Sequence, residues 1–155
     1  MVKFCLLISF LFFTSFSNAQ LIETKDPKAL CSNGEQATFT FFEGNTNNWL
    51  LYIQGGGVAA NEDQYRSRNN GLKSPAVSNE RGKTYMVEDF VNNNYNVIYV
   101  PYCSNDIHQG MHVNNIDGKK VYFHGRYIIE DIFNQYDEKF KKADKLIFAG
   151  YSAGS

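Results

Sequence analysis

The feature that most restricts the fold is a short apolar run followed at once by a glycine-flanked serine. Residues 145–149 (KLIFA) predict a buried strand, and residues 150–154 (GYSAG) follow it directly. A G-x-S-x-G pattern after a strand is typical of a sharp strand-to-helix turn, because glycines lack the Cβ atoms that would collide there. Such a turn exposes the oxygen of Ser152 for nucleophilic attack. The alternative is a glycine-rich turn around an ordinary serine.

Three earlier segments predict strands. Residues 37–43 (ATFTFFE) and 48–54 (NWLLYIQ) are rich in β-forming side chains, and the Gly-Asn turn between them predicts a hairpin. Residues 96–100 (NVIYV) are a continuous apolar run, which fits a strand covered on both faces of a sheet.

A single amphipathic helix is predicted over residues 125–142, because apolar side chains recur there at helical spacing opposite a charged face. The apolar positions are Ile129, Ile132, Phe133, Tyr136 and Phe140. The order of strand, loop, helix and strand predicts a right-handed parallel crossover. The fold class is therefore α/β.

The first residues have the features of a secretory signal peptide. A lysine precedes an apolar run over residues 4–16, and the small side chains of Ser17 and Ala19 precede a cleavage point before Gln20. The run is short for a bilayer span, which needs about 20 residues. An uncleaved anchor or a buried helix is the alternative. We expect residues 1–19 to be removed and the mature chain to be exported, with no membrane span.

Composition excludes several classes of protein. The chain has 155 residues, a length typical of one domain, and its formal charge of −1 provides no electrostatic footprint for nucleic acid. A hydrophobic content of 43% argues against a disordered chain.

After Cys5 is lost with the signal peptide, Cys31 and Cys103 remain in an oxidising compartment. One disulfide is the simplest pairing there, and two separate buried thiols are the alternative.

No metal or cofactor is expected. His108 and His112 have the spacing of a helical metal pair, but Gly110 and the surrounding asparagines indicate a loop. These two histidines are predicted to lie near a pocket mouth and His124 at the start of a helix. Asp106 is predicted to make structural hydrogen bonds.

Three glycines end the second predicted strand and supply the other half of a candidate site. An oxyanion hole needs one backbone N–H from the residue after the nucleophile and one from an earlier loop. Ala153 would supply the first, and Gly56 or Gly57 the second. The glycines match no phosphate-binding pattern, because the chain lacks G-x-x-x-x-G-K-[ST] and also lacks G-x-G-x-x-G followed by a helix and an acidic residue. A flexible turn is the alternative.

Six segments together resemble the pectin acetylesterase family, in the family's order and over nearly all of the mature chain. They are residues 31–34 (CSNG), 49–57 (WLLYIQGGG), 66–68 (RSR), 101–106 (PYCSND), 123–126 (FHGR) and 150–154 (GYSAG). The segment 101–106 is nearer to the Notum-like branch than to the plant enzymes.

The resemblance implies a secreted hydrolase with an α/β-hydrolase-like, mostly parallel sheet and flanking helices. Such an enzyme removes acyl groups from oxygen, either acetyl from pectin or palmitoleate from a signalling protein. The implied partner is therefore an acylated polysaccharide, or an acylated protein or lipid. The resemblance also implies that Cys31 pairs with Cys103.

The family's nucleophile corresponds to Ser152. Its oxyanion hole corresponds to the N–H groups of Gly56, Gly57 and Ala153. The family usually has Glu before the glycines and Trp-Cys after them, where this chain has Gln54 and Val58-Ala59. Substrate choice by the lid-like loop 58–72, and hence acetyl or long-chain acyl specificity, is left open.

The acid and base of the catalytic triad follow the serine in this fold, yet three residues follow Ser152. We therefore expect residues 20–155 to be the N-terminal part of a single larger domain, with the sheet incomplete at its C-terminus. Alone they are expected to be inactive, because a serine without a base stays protonated. The alternative function is a non-catalytic secreted protein of the same fold that binds an acylated glycan or lipid.

Overall fold

The computed structural model describes residues 19–68 and 85–155. Its strands are β1 (Ala19–Glu23), β2 (Thr38–Phe42), β3 (Asn48–Ile53), β4 (Asn96–Val100), β5 (His112–Ile116), β6 (Lys119–Phe123) and β7 (Lys145–Gly150). Its helices are α1 (Glu62–Arg68), α2 (Tyr85–Asn92) and α3 (Gly125–Lys141). The predicted α/β class is confirmed.

Five strands form one mixed sheet in the order β1-β2-β4-β3-β7, and β5 and β6 form a separate hairpin. In the larger sheet, the pairs β1–β2 and β2–β4 are antiparallel. The pairs β4–β3 and β3–β7 are parallel. A mostly parallel sheet is therefore not confirmed by the described strands. The parallel relation of β4 and β7 agrees with the predicted crossover through α3.

Strand β4 is buried at every position, as its continuous apolar run predicts. On one face Ile98 packs in a cluster with Ile128 of α3, and on the other face Val97 and Tyr99 pack with Val87 of α2. Because alternate residues of a strand point to opposite faces, the run has to be apolar throughout. Each fully buried aliphatic side chain contributes about 1.5–3 kcal/mol to stability.

The predicted hairpin of residues 37–43 and 48–54 is wrong, because β4 lies between β2 and β3. The Asn96 side chain at the start of β4 binds the loop that connects β2 to β3. Its amide nitrogen donates to the Thr46 carbonyl at 2.7 Å, and its oxygen accepts from the Gly44 N–H at 3.1 Å. The loop is thus held by a residue distant in sequence, which a local turn pattern does not reveal.

Helix α3 has its predicted bounds to within one residue, and its apolar face packs against the sheet. The buried hydrophobic side chains are Ile128, Ile132, Tyr136 and Phe140. Phe133 was expected among them but lies at the margin, with 36% of its surface exposed, stacked on Phe148 of β7.

The prediction that residues 145–149 form a buried strand is only partly correct. Within the described sheet β7 pairs with β3 alone and lies at the edge, so Phe148 is 54% exposed. A short apolar run indicates a strand, but it does not distinguish a central strand from one at the edge of the part described.

The disulfide between Cys31 and Cys103 is present, with an S–S distance of 2.06 Å, and the predicted pairing is confirmed. It ties the segment between β1 and β2 to the residues that follow β4. The Ser32 N–H also donates to the Cys103 carbonyl at 2.9 Å. A cross-link that closes a loop of this length stabilises a fold by about 2–5 kcal/mol.

The hairpin β5–β6 begins at His112, which was predicted to lie in a loop. Asp117 and Gly118 both have positive φ, 54° and 73°, as a type I′ turn requires. The Asp-Gly pair, which is typical of a two-residue hairpin turn, was the available sequence signal. Arg66 of α1 joins this turn through two hydrogen bonds to Asp117, at 3.0 and 2.9 Å. This contact brings α1 to the hairpin.

Two predictions fall partly outside the described residues. They are most of the signal peptide, over residues 1–18, and the end of the lid-like loop 58–72, over residues 69–72. Among the helices that are described, none combines the length and the apolar character needed to cross a bilayer.

Candidate functional site

Ser152 lies at the end of β7, where the strand turns into a short 3₁₀ helix (Ser152–Gly154). Its φ is 55°, in the left-handed region that costs a non-glycine residue roughly 1–3 kcal/mol. A Cβ at Gly150 would lie 1.9 Å from the Gly154 carbonyl oxygen, so the turn closes only with glycine there. The side chain of Ser152 is exposed to solvent.

The glycine run at the end of β3 touches this serine turn. Ile53 is the register partner of Gly150, and the Tyr151 N–H points to the Ile53 carbonyl at 3.4 Å. A Cβ on Gly55 would lie 1.8 Å from the Tyr151 carbonyl oxygen and 2.9 Å from the Cβ of Ser152. The two motifs, almost a hundred residues apart in sequence, are therefore in direct backbone contact.

Gly56 and Gly57 present backbone donors beside that contact. Within residues 19–68 and 85–155, neither N–H donates a hydrogen bond. Gly57 has a φ of 78°, which favours glycine. A Cβ at Gly56 would overlap the Tyr102 ring, and one at Gly57 would overlap the Arg68 guanidinium. Gly56 therefore requires glycine for space beside the Tyr102 ring, and Gly57 requires it for its backbone conformation.

Tyr102 and His108, which the sequence did not indicate as a pair, both bind Gln54, the residue that precedes the glycine run. The Tyr102 N–H donates to the side-chain oxygen of Gln54 at 3.0 Å, and Nε2 of His108 donates to the Gln54 backbone carbonyl at 2.9 Å. The two rings are in contact, with centroids 4.7 Å apart. Burial raises the pKa of Tyr102, and burial lowers the pKa of His108.

The bond to Gln54 fixes the tautomer of His108. A carbonyl only accepts, so Nε2 carries the hydrogen and Nδ1 is bare in the neutral ring. Nδ1 is buried and has no partner among the described residues. Protonation would therefore place a charged N–H without an acceptor in a side chain that is 8% exposed. The nearby Asp106 carboxylate and the Gln54 carbonyl oppose the effect of burial on the pKa without overcoming it.

We expect the stability of the protein to fall in acid because of His108. Its pKa in the folded state lies below the ordinary value of about 6.5, so the unfolded chain binds more protons as the pH drops through that value. Between pH 7 and pH 5 the free energy of unfolding should fall more in the wild type than in His108→Gln, which keeps a donor for Gln54. Urea unfolding at the two pH values measures the difference. Equal pH dependence in both proteins would contradict the assignment.

The other two histidines have different surroundings. His112 stacks on Phe123 with centroids 4.8 Å apart and lines a cavity of about 460 Å³, together with Val58 and Gln109. His124 directly precedes α3, as predicted, with Nδ1 2.7 Å from the Lys28 carbonyl oxygen. Across the described ranges no three His, Cys, Asp or Glu side chains are grouped as metal ligands would be.

The Ser152 hydroxyl makes no hydrogen bond to any residue that the structure describes. Neither a histidine nor a carboxylate is paired with it there. The arrangement therefore combines a strained, exposed serine with unpaired backbone donors on a neighbouring glycine run. Such a combination is suited to nucleophilic attack on a carbonyl whose oxygen becomes negatively charged.

The family model described as Pectinacetylesterase matches residues 14–155. The chain belongs to the pectinacetylesterase family. The match extends from before β1 to the serine turn and so includes both halves of the candidate site. The predicted resemblance to this family is confirmed.

Relatives within the pectinacetylesterase family include palmitoleoyl-protein carboxylesterases. The NOTUM protein of Schmidtea mediterranea is 30% identical over 138 residues, covering 80% of this chain and 26% of its own length. NOTUM proteins of Mus musculus and Homo sapiens are each 26% identical, covering 80% of this chain and 27% of their own length. The chain thus spans about a quarter of the length of these relatives. Membership of the family supports an ester-hydrolase function at the level of the family.

Proposed function

We propose that the complete protein is a secreted serine carboxylesterase that removes an acyl group from an oxygen atom of its substrate. Ser152 attacks the ester carbonyl, and the N–H groups of Gly56, Gly57 and Ala153 bind the oxygen as it becomes negatively charged. An acyl-enzyme forms, and water then releases the acid. The substrate is an acylated polysaccharide, or an acylated protein or lipid.

The observation that carries this proposal is the contact between the left-handed Ser152 and the glycine run. A non-glycine residue with a φ of 55° is unfavourable unless its surroundings impose it, and such strain concentrates at functional sites. The N–H groups of Gly56 and Gly57, which donate to no described residue, lie on the segment that touches the serine turn. Esterase activity in the NOTUM relatives, as their names record, agrees with this chemistry.

The proposal also includes secretion and domain organisation. Residues 1–19 act as the signal peptide, and residues 20–155 form the N-terminal part of one hydrolase domain. The Cys31–Cys103 bond fits an oxidising compartment. The proposed acid and base that activate Ser152 follow residue 155, since His108 and His124 bond to backbone carbonyls and His112 stacks on Phe123, and none of the three is hydrogen-bonded to the Ser152 hydroxyl.

A fluorophosphonate probe tests the proposal on the complete protein. The probe reacts covalently only with an activated serine, so we expect a single labelled peptide carrying the modification on Ser152. Peptide mass spectrometry locates the label. A folded complete protein that remains unlabelled would contradict the esterase and favour the alternative, a non-catalytic protein that binds an acylated glycan or lipid.

A further inference from the structure

Asp106 is a buried carboxylate whose acceptor positions are all filled. Its exposed fraction is 9%. Oδ1 accepts from the Ser104 hydroxyl at 2.5 Å and from the His108 N–H at 3.0 Å. Oδ2 accepts from the N–H groups of Gly110 at 3.1 Å and Gly125 at 2.7 Å. A carboxylate bound in this way is committed to holding the backbone and has no free lone pair for proton transfer.

The four donors belong to two structural units. Three lie in residues 101–110, which we call the Asp106 loop, and the fourth is the first residue of α3. Gly125 opens a helix of 17 residues, whose N-terminal N–H groups and dipole favour a carboxylate there. A Cβ on Gly110 or Gly125 would lie 2.3–2.4 Å from the Asp106 carboxylate oxygens. Asp106 therefore fastens the Asp106 loop to α3 at close range.

The Asp106 loop in turn holds the glycine run on both sides. Before the glycines, Gln54 accepts from Tyr102 and from His108. After them, the Ala59 N–H donates to the Asn105 carbonyl at 2.9 Å. The Tyr102 hydroxyl also accepts from the Ile107 N–H at 2.7 Å, so the ring that fills the space beside the glycines is itself held by the loop.

We propose that Asp106 is a positioning residue for the ester-hydrolase reaction. By fixing the Asp106 loop to α3, it sets the direction of the N–H groups of Gly56 and Gly57, although it touches neither glycine. This inference rests on the proposed function, because it assigns those N–H groups to the oxyanion.

The test compares Asp106→Asn with Asp131→Asn in the complete protein. Asp131 is a matched control, because it is 7% exposed and accepts two backbone N–H bonds, from Lys25 and Asp26, and one from Gln135. It lies on α3 and makes none of these bonds to the Asp106 loop. Both substitutions remove carboxylate acceptors from a buried side chain, so both should lower stability. Only Asp106→Asn should disturb the site, because only Asp106 binds the Asp106 loop.

At a temperature where circular dichroism shows both variants folded, we expect Asp106→Asn to lower kcat for p-nitrophenyl acetate about 10- to 100-fold. KM should change little, since a misplaced oxyanion donor affects the transition state more than substrate binding. Asp131→Asn should keep kcat within about twofold of the wild type, because its contacts lie away from the reacting groups. Equal kcat in the two variants would overturn the inference.

Hydrogen exchange provides a readout that does not depend on activity. In Asp106→Asn, the N–H groups of Tyr102 and Ala59 should exchange faster than in Asp131→Asn, because the loop that holds them is released. If the wild type has no turnover and no probe labelling, the proposed function fails, and exchange still decides whether Asp106 holds the glycine run. Unchanged exchange at both positions would overturn the positioning role.

Discussion

Replacing Ser152 with alanine should abolish ester hydrolysis by the complete protein. Without its oxygen no acyl-enzyme forms, and only the oxyanion donors and substrate binding remain to accelerate attack by water. Removing the nucleophile from a serine hydrolase lowers kcat by about 10⁶-fold, although binding and the oxyanion hole keep a residual rate above that in water. Initial rates with p-nitrophenyl acetate measure the loss. Because Ser152 is exposed, the folded structure should persist.

The control is Thr46→Val, which also removes a hydroxyl, here from a half-buried position. Thr46 precedes β3 at the opposite end of the sheet from the glycine run, where its hydroxyl donates to the Asn94 carbonyl. This variant should keep the wild-type kcat. If Ser152→Ala retains more than about a hundredth of the wild-type rate, Ser152 is not the nucleophile, since no other group supplies covalent catalysis in the proposed mechanism.

The second large effect is expected for Gly55→Ala. The added Cβ would lie 1.8 Å from the Tyr151 carbonyl oxygen, so the glycine run and the serine turn have to separate. A displacement of about 1 Å at a reacting centre reduces the rate about 10²-fold, and here both the nucleophile and the oxyanion donors are displaced. We expect kcat to fall at least about 100-fold in protein that is still folded, as judged by near-ultraviolet circular dichroism.

Gly44→Ala is the matched control for this substitution. A Cβ there would lie 2.2 Å from the Asn94 carbonyl oxygen, a backbone overlap similar to the one at Gly55. Gly44 lies in the loop between β2 and β3, at the opposite end of β3 from the glycine run. Both variants should lose about 1–3 kcal/mol of stability through overpacking. Only Gly55→Ala should lose activity per folded molecule, and a comparable loss in Gly44→Ala would mean that general destabilisation explains both.

The sequence predicts elements whose pattern is local and does not predict how they are paired. The strand predicted over residues 96–100 has the same bounds in the structure, because a strand covered on both faces has to be apolar throughout. The predicted hairpin fails because β4, which is more than forty residues further along the chain, enters between its two strands. The Asn96 bonds that hold this arrangement join positions about fifty residues apart. No turn rule contains that information.

The candidate site likewise has a part that the sequence predicts and a part that only the structure shows. Ser152 and the glycine run are evident from short motifs, because tight turns admit few residue types. The neighbours that hold the glycine run come from the Asp106 loop, and their partners are backbone groups of other segments. The sequence indicated only that Asp106 makes structural hydrogen bonds. Its four donors, which connect the loop to α3, become visible only in three dimensions.

The Cys31–Cys103 bond also sets an order for biosynthesis. Both cysteines precede α3 and β7, and strands β1 to β4 all end before residue 103. A chain that is secreted as proposed enters the oxidising compartment with its N-terminal end first and folds in that order. The disulfide can then close on the first four strands before the segment with Ser152 has been translocated. Ser152 would then arrive after the segments that precede it have been covalently joined.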